Sequence, residues 1–371
     1  MNSKNKVRIL FIFTSANFLI NYSHWGTILS AISKYSDIFL LIDEDLEAVP
    51  DGISTKNIYI VRIPKFLRQH KIFRYLTIFM MLFAGLRIVL SSDIIVTLSG
   101  GPSQLLATLI SKVVGKPLVI YLRTDFTSWK RYIPKNASVI RLFHYIHQAL
   151  ILVSLRFSDK IIAIYKHLYI LARNYGIPRE KISLMYLGTD LNNFSYCYKL
   201  RKRDRPVVGF VGRFSPENGS HLLIQLAKMM PQVDFLIVGD SPNKADLPPN
   251  IKFTGYVKNS EVPKFLCEMD LFISLKLEKG IPVAVIEALA CGIPVVAINI
   301  DDLKKSKAAI VIDSNDLNYI MKTIDELLSN NKRLEMSYKA IEISSKLFDV
   351  KMHARRFSSL ISSLMRTRSE S

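Results

Sequence analysis

The chain has 371 residues, 49% of them hydrophobic, a length that suits about two domains and a composition that argues against disorder. Three cysteines without paired spacing (Cys197, Cys267, Cys291) and no neighbouring histidine cluster argue against a disulfide framework or a structural zinc site, and so favour a reducing compartment. The formal net charge of +19 suits anionic lipid headgroups or nucleic acid, unless it is simply a solvated basic face.

In chain order, residues 7–14 follow a polar start and read as a first buried strand, too short to span a bilayer and without the form of a secretory signal. Further buried strands are expected at 37–42, 58–63, 93–98, 117–122 and 159–164, with helices between them at 104–114 and 139–155. Two stretches of this half carry no acid. One holds Lys56, Arg62, Lys65, Arg68, Lys71, Arg74 and Arg87; the other holds Lys130, Arg131, Lys135, Arg141 and Arg156. The first surrounds the apolar run 75–86, which is well short of the ~20 residues a spanning helix needs. That run reads as an interfacial amphipathic helix or as a buried core helix. The chain is therefore expected in the cytoplasm, or peripherally on the inner face of the cell membrane.

A polar and charged segment at 195–204 breaks the pattern, which then restarts with strands at 206–211, 233–238, 251–254, 270–275, 294–298 and 308–312. Alternating strands and helices of this kind predict parallel sheets wrapped by helices. The parse is an N-terminal α/β domain over 1–194, a linker at 195–205 and a second α/β domain over 206–349.

Two segments of the second domain carry chemistry. The first strand ends in Gly212-Arg213-Phe214-Ser215-Pro216-Glu217-Asn218-Gly219 before a helix, a turn that presents backbone N–H groups and a bidentate cation to an anion. The same pattern is also what an ordinary turn with a surface cation looks like. The second segment runs Glu278-Lys279-Gly280-Ile281-Pro282-Val283-Ala284-Val285-Ile286-Glu287-Ala288-Leu289-Ala290-Cys291-Gly292-Ile293-Pro294. Glu287 stands inside an otherwise apolar helix, where a lone carboxylate is costly without partners. Two ribose hydroxyls suit its two oxygens; a nearby Lys or Arg is the other reading.

This second segment resembles the donor-site signature of the retaining GT-B glycosyltransferases of family 4, the glycosyl transferases group 1. The resemblance extends to 211–217, to Gly239-Asp240 after Leu236, to Phe253-Thr254-Gly255-Tyr256-Val257, to Tyr175-Gly176-Ile177-Pro178, and to 187–194. It implies two Rossmann-like domains facing a cleft, with a last helix over 350–371 crossing back to the first domain. By the same resemblance Glu287 holds the donor ribose and Arg213, beside Gly212, holds the pyrophosphate. Gly280, Ile281, Pro282 and Val283 approach the sugar and phosphates, Gly239 forms a turn at the site, and Tyr256 and Val257 lie beside the base.

The chain departs from that family at three places. Asn218 stands where the pyrophosphate lysine follows the arginine. Lys279 stands where the first glutamate is expected, with Glu278 one residue earlier. Arg123 and Thr124, followed by Asp125, stand where a histidine touches the donor sugar. Lys279 is expected either to restore the charge lost at Asn218, with Glu278 then taking the sugar, or simply to point to solvent. Asp125 is expected at the donor sugar or acceptor, or else capping its own loop, and Asp301-Asp302 reads as a solvated loop rather than a metal motif.

The activity implied is transfer of a hexose, with retention and without a metal or other cofactor, from a UDP- or GDP-linked donor to a glycan or lipid-linked acceptor. A cell-envelope polysaccharide is the expected product and an anionic membrane surface an expected partner. No nucleic-acid module is recognised, so nucleic acid is not an expected partner. A non-catalytic glycan- or partner-binding protein and a sugar-nucleotide epimerase are the alternatives on the same fold.

Overall fold

In the computed structural model, the described residues are 6–13, 23–42, 53–61, 85–99, 102–128, 138–199, 204–241, 247–329 and 331–370. They divide into two compact units, one of 1–186 with 353–371, the other of 187–352.

The first unit holds a seven-stranded parallel sheet in the order β3-β2-β1-β4-β5-β6-β7. Its strands are β1 (Arg8–Phe13), β2 (Asp37–Ile42), β3 (Ile58–Ile60), β4 (Ile94–Leu98), β5 (Leu118–Leu122), β6 (Lys160–Ala163) and β7 (Ile182–Leu184). Every residue of β4 and β5 is buried, which explains why they read as unbroken apolar runs rather than alternating ones. Strand β7 has no counterpart among the expected strands; at three residues it is too short to leave a pattern.

The second unit holds a six-stranded parallel sheet in the order β10-β9-β8-β11-β12-β13. These strands are β8 (Val207–Val211), β9 (Asp234–Val238), β10 (Ile251–Phe253), β11 (Leu271–Ser274), β12 (Val295–Ile298) and β13 (Ala309–Ile312). Val208, Phe235, Ile237, Leu271, Ile273 and Val296 from this sheet pack with Leu223 and Leu226 of the helix Ser220–Met229 in one core.

One device recurs at the starts of the strands. An aspartate just before a strand accepts the first N–H of its neighbour: Asp93 from Arg8 at 2.8 Å, Asp159 from Leu118 at 2.8 Å, Asp270 from Val207 at 2.9 Å. Each satisfies a donor that the parallel ladder leaves unpaired at the sheet edge.

The last helix, Val350–Ser369, lies mostly in the first unit. Its Phe357 stacks on Phe11 and Tyr121, with ring centroids 6.2 and 5.9 Å apart. His353 meets the Tyr121 hydroxyl at 3.1 Å and the Tyr186 carbonyl at 2.8 Å. The units divide after Tyr186 because Thr189 joins the chain before that helix: its N–H donates to Phe348 O at 2.7 Å and its carbonyl accepts from Val350 at 3.0 Å. The segment 187–194 therefore goes with the second unit, although the sequence pattern groups it with the first. Of the expected linker, 200–203 lie outside the described residues.

Cys197 and Cys267 form a disulfide, their Cα atoms 5.6 Å apart across a sequence separation of 70. This corrects the expectation of unpaired cysteines, which rested on local spacing and could not register a contact made by the fold. The inference of a reducing compartment loses that support. Cys291 is buried, its thiol pushed up to about 12 first by burial and then by nearby Glu287, so it is inert. Most of the apolar run 75–86 and the basic residues from Arg62 to Arg74 lie outside the described residues, as do Lys130, Arg131 and Lys135.

Candidate functional site

The residues singled out in the second domain gather at the carboxyl edge of the six-stranded sheet. Strand β8 ends in Gly212, held at φ 138, and exposed Arg213. A short 3-10 turn, Pro216–Asn218, then leads through Gly219 at φ 81 into the helix Ser220–Met229. The glycines let three strand ends crowd together. A Cβ on Gly219 would lie 2.3 Å from the Leu275 carbonyl oxygen, and one on Gly239 would lie 2.2 Å from the Gly212 carbonyl oxygen.

Asn218 is used inside the turn. Its amide donates to the Arg213 carbonyl at 3.0 Å and to Ser215 Oγ at 3.3 Å. Glu217 is exposed; a hydrogen bond from Ser215, with help from Arg213, holds its carboxyl below the usual range.

After β11 the chain passes Lys276, Glu278 and Lys279 to Gly280, at φ 135, and enters the helix Val283–Ala290. Pro282 precedes the helix and no side chain caps it, so its first N–H groups face outward at the positive end of the dipole. Lys279 does not stand free to replace the missing cation: it is half-exposed and bonds Asp301 Oδ2 at 2.9 Å. Lys304 meets the other Asp301 oxygen at 2.6 Å, and together the two lysines hold that carboxyl down to about 2. Asp301, expected in a plain solvated loop, is a bridging anion instead.

Glu287 is 4% exposed on that helix. Its described side-chain partner is a neutral amide, Asn259 Nδ2, which donates to Oε1 at 2.9 Å. No Lys or Arg pairs with it among the described residues, which answers the alternative of a structural ion pair. Burial pushes its carboxyl up to about 7, against the smaller opposite pull of Asn259. Nothing local in the sequence marks Asn259 as a partner; it reaches Glu287 from the turn after β10, beside exposed Tyr256 and part-buried Val257.

Asp125 belongs to the first unit, just past the end of β5. Its Oδ1 accepts from Thr127 N at 2.8 Å and Thr127 Oγ1 at 2.6 Å, so it caps its own loop, and its Oδ2 lies 3.0 Å from His167 Nε2. Burial raises its pKa, but these hydrogen bonds outweigh burial and hold it to about 2. His167 went unmarked in the sequence because it lies 42 positions away, at the start of the helix Lys166–Asn174.

Residues 205–330 match the family model described as glycosyl transferases group 1. An uncharacterized 41.2 kDa protein in the cps region of Klebsiella pneumoniae is 24% identical over 58% of this chain and 61% of its own length. An Escherichia coli UDP-Gal:alpha-D-GlcNAc-diphosphoundecaprenol alpha-1,3-galactosyltransferase is 27% identical over 48% of this chain and 52% of its own. The chain thus spans between half and two thirds of these relatives. Among solved structures, Anabaena HepE in complex with UDP and glucose superposes with a TM-score of 0.72 at 17% identity, covering 96% of this chain and 100% of that one. Residues 205–330 thus resemble the glycosyl transferases group 1, and the two parallel-sheet α/β units share the fold of GT-B structures.

Proposed function

We propose that the chain is a hexosyl glycosyltransferase that holds a UDP- or GDP-linked sugar at the carboxyl edge of its C-terminal sheet. The sugar passes with retention, without a metal, to a glycan or lipid-linked acceptor bound by the N-terminal unit. The observation that carries this reading is Glu287, a buried carboxylate whose described partner is one neutral amide, on a helix with an uncapped N-terminus. A ribose diol offers that carboxylate two O–H donors, and the diphosphate suits the N–H groups of Arg213 and Phe214 after β8 and those at the uncapped start of the helix Val283–Ala290. Arg213 adds a cation where negative charge grows on the leaving diphosphate. The Escherichia coli galactosyltransferase, named for a diphosphoundecaprenol-linked acceptor, supports the lipid-linked acceptor class.

The test is release of UDP or GDP from a panel of their sugars with diphosphoundecaprenol-linked acceptors, in EDTA, with the anomeric product read by NMR. Nucleotide binding without turnover would favour the non-catalytic reading, and a changed sugar on the nucleotide without acceptor would favour the epimerase.

We also infer that the first unit docks on anionic membranes. No helix among the described residues is long and apolar enough to cross one. The helix Ser138–Phe157 instead exposes Leu142, Ile146, Val153 and Phe157 along one stripe, with Lys112 lying 5.6 Å over the Phe157 ring. An apolar stripe with a cation at one end suits the headgroup region. Flotation with phosphatidylglycerol vesicles should carry the protein at low salt and less at high salt; no flotation at low salt would retire this inference.

A further inference from the structure

The diphosphate site proposed above has one evident cation, Arg213, since Asn218 is spent inside its turn and Lys279 is held by Asp301. Another lysine, Lys276, lies two residues past the end of β11. Strands β8 and β11 pair in parallel, Leu271 with Val208 and Phe272 with Gly209, and the same offset carried past their ends sets Lys276 level with Arg213. Backbone contacts keep the two segments together beyond the sheet. Leu277 N donates to the Glu217 carbonyl at 3.3 Å, and Gly219 lies against Leu275 so closely that a Cβ would sit 2.3 Å from its carbonyl oxygen. Asn299, held at φ 61, donates its amide to the carbonyls of Leu277 at 3.1 Å and Lys276 at 3.5 Å. The backbone under Lys276 is therefore fixed.

The place itself is suggestive. The strand order runs outward from β8 through β9 to β10 on one side, and from β11 through β12 to β13 on the other. Doubly wound sheets take ligands outside the carboxyl ends of the strands at such a reversal. Arg213 and Lys276 follow the two strands that flank it.

The Lys276 ammonium has no hydrogen-bond acceptor among the described residues, and the charges acting on it are Glu278 and Arg213. Burial pulls its pKa below the usual lysine value and Arg213 adds to that, while Glu278 pulls the other way. Two cations held side by side with one of them part-buried is a cost that an anion between them removes.

We propose that Lys276 is the second cation of the donor's diphosphate site, gripping the phosphates with Arg213 from the two strand ends that flank the reversal of strand order. The proposal rests on the nucleotide-sugar reading and adds a residue to it. Its test is calorimetric titration of wild type, Lys276→Met and Lys276→Met/Asn218→Lys with UDP, GDP and the phosphate-free nucleosides uridine and guanosine. The methionine keeps the aliphatic stem and removes a charge that burial disfavours, so the fold is retained, as a melting curve will verify. Lys276→Met should bind the preferred nucleoside diphosphate about 10- to 100-fold more weakly and its nucleoside unchanged, and the added lysine should restore part of the loss. Equal diphosphate binding by wild type and Lys276→Met would overturn the role of Lys276 and leave the donor reading standing. An equal loss for nucleoside and diphosphate would also overturn it, as a structural effect. No binding of either diphosphate by wild type would overturn the donor reading itself, and this proposal with it.

Discussion

Replacing Glu287 by glutamine should push stability and ligand affinity in opposite directions. In the native protein burial lifts this carboxyl from its ordinary 4.5 to about 7. Between those values the native state holds a proton that the unfolded chain has released, so stability falls as pH rises through that window and stays lower above it. At about 1.4 kcal/mol per unit, ionising Glu287 costs the C-terminal unit roughly 3 kcal/mol at pH 8. Glutamine has the same shape, keeps an oxygen for Asn259 Nδ2 to reach, and does not ionise. Glu287→Gln should therefore be the more stable protein by up to about 3 kcal/mol at pH 8 and equal to wild type near pH 4. Its nucleotide affinity should fall about 10- to 100-fold, because two charge-assisted hydrogen bonds from the ribose become one neutral one. For wild type, affinity should tighten as pH rises through about 7, with proton release on binding below that pH. Urea unfolding at pH 4.5 and 8 and calorimetry with UDP and GDP measure both signs. A variant less stable than wild type at pH 8, with nucleotide affinity intact, would refute the reasoning and make Glu287 a structural residue.

Acid should destabilise the first unit: burial holds His353 down to about 4 and, with repulsion from His353, His24 down to about 3, so both stay neutral while the unfolded chain takes up protons. Unfolding free energy should drop by about 1.4 kcal/mol per histidine per pH unit between about 6.5 and 4, and a urea midpoint unchanged from pH 7 to 5 would contradict this. Asp270→Ala should cost about 3–5 kcal/mol, since it strands Arg333, a buried partner 3.6 Å away, and the Val207 N–H at 2.9 Å. Arg333→Met/Asp270→Asn should recover much of that in the same unfolding assay. Thiol titration of the unreduced protein in denaturant should find one reactive cysteine, Cys291, and three after reduction; three at the outset would exclude the disulfide.

The local pattern of the chain settled which segments become strands, because parallel strands buried on both faces must be apolar throughout, and β4, β5 and β11 are legible for that reason alone. The glycine turns after β8 and before the helix at 283 are equally local, as are the lone carboxylate of Glu287 and the cation of Arg213. What the sequence did not reveal were the partnerships made across the fold. Glu287 meets Asn259 across 28 positions, Asp125 meets His167 across 42, and Lys279 turns to Asp301 across 22. Cys197 finds Cys267 across 70. Each is fixed by the packing of the fold, which brings distant segments together and leaves no mark on the residues between. The placing of Lys276 beside Arg213 is of that kind: two strands far apart in the chain become neighbours in the sheet, and the register between them decides which side chains share a site.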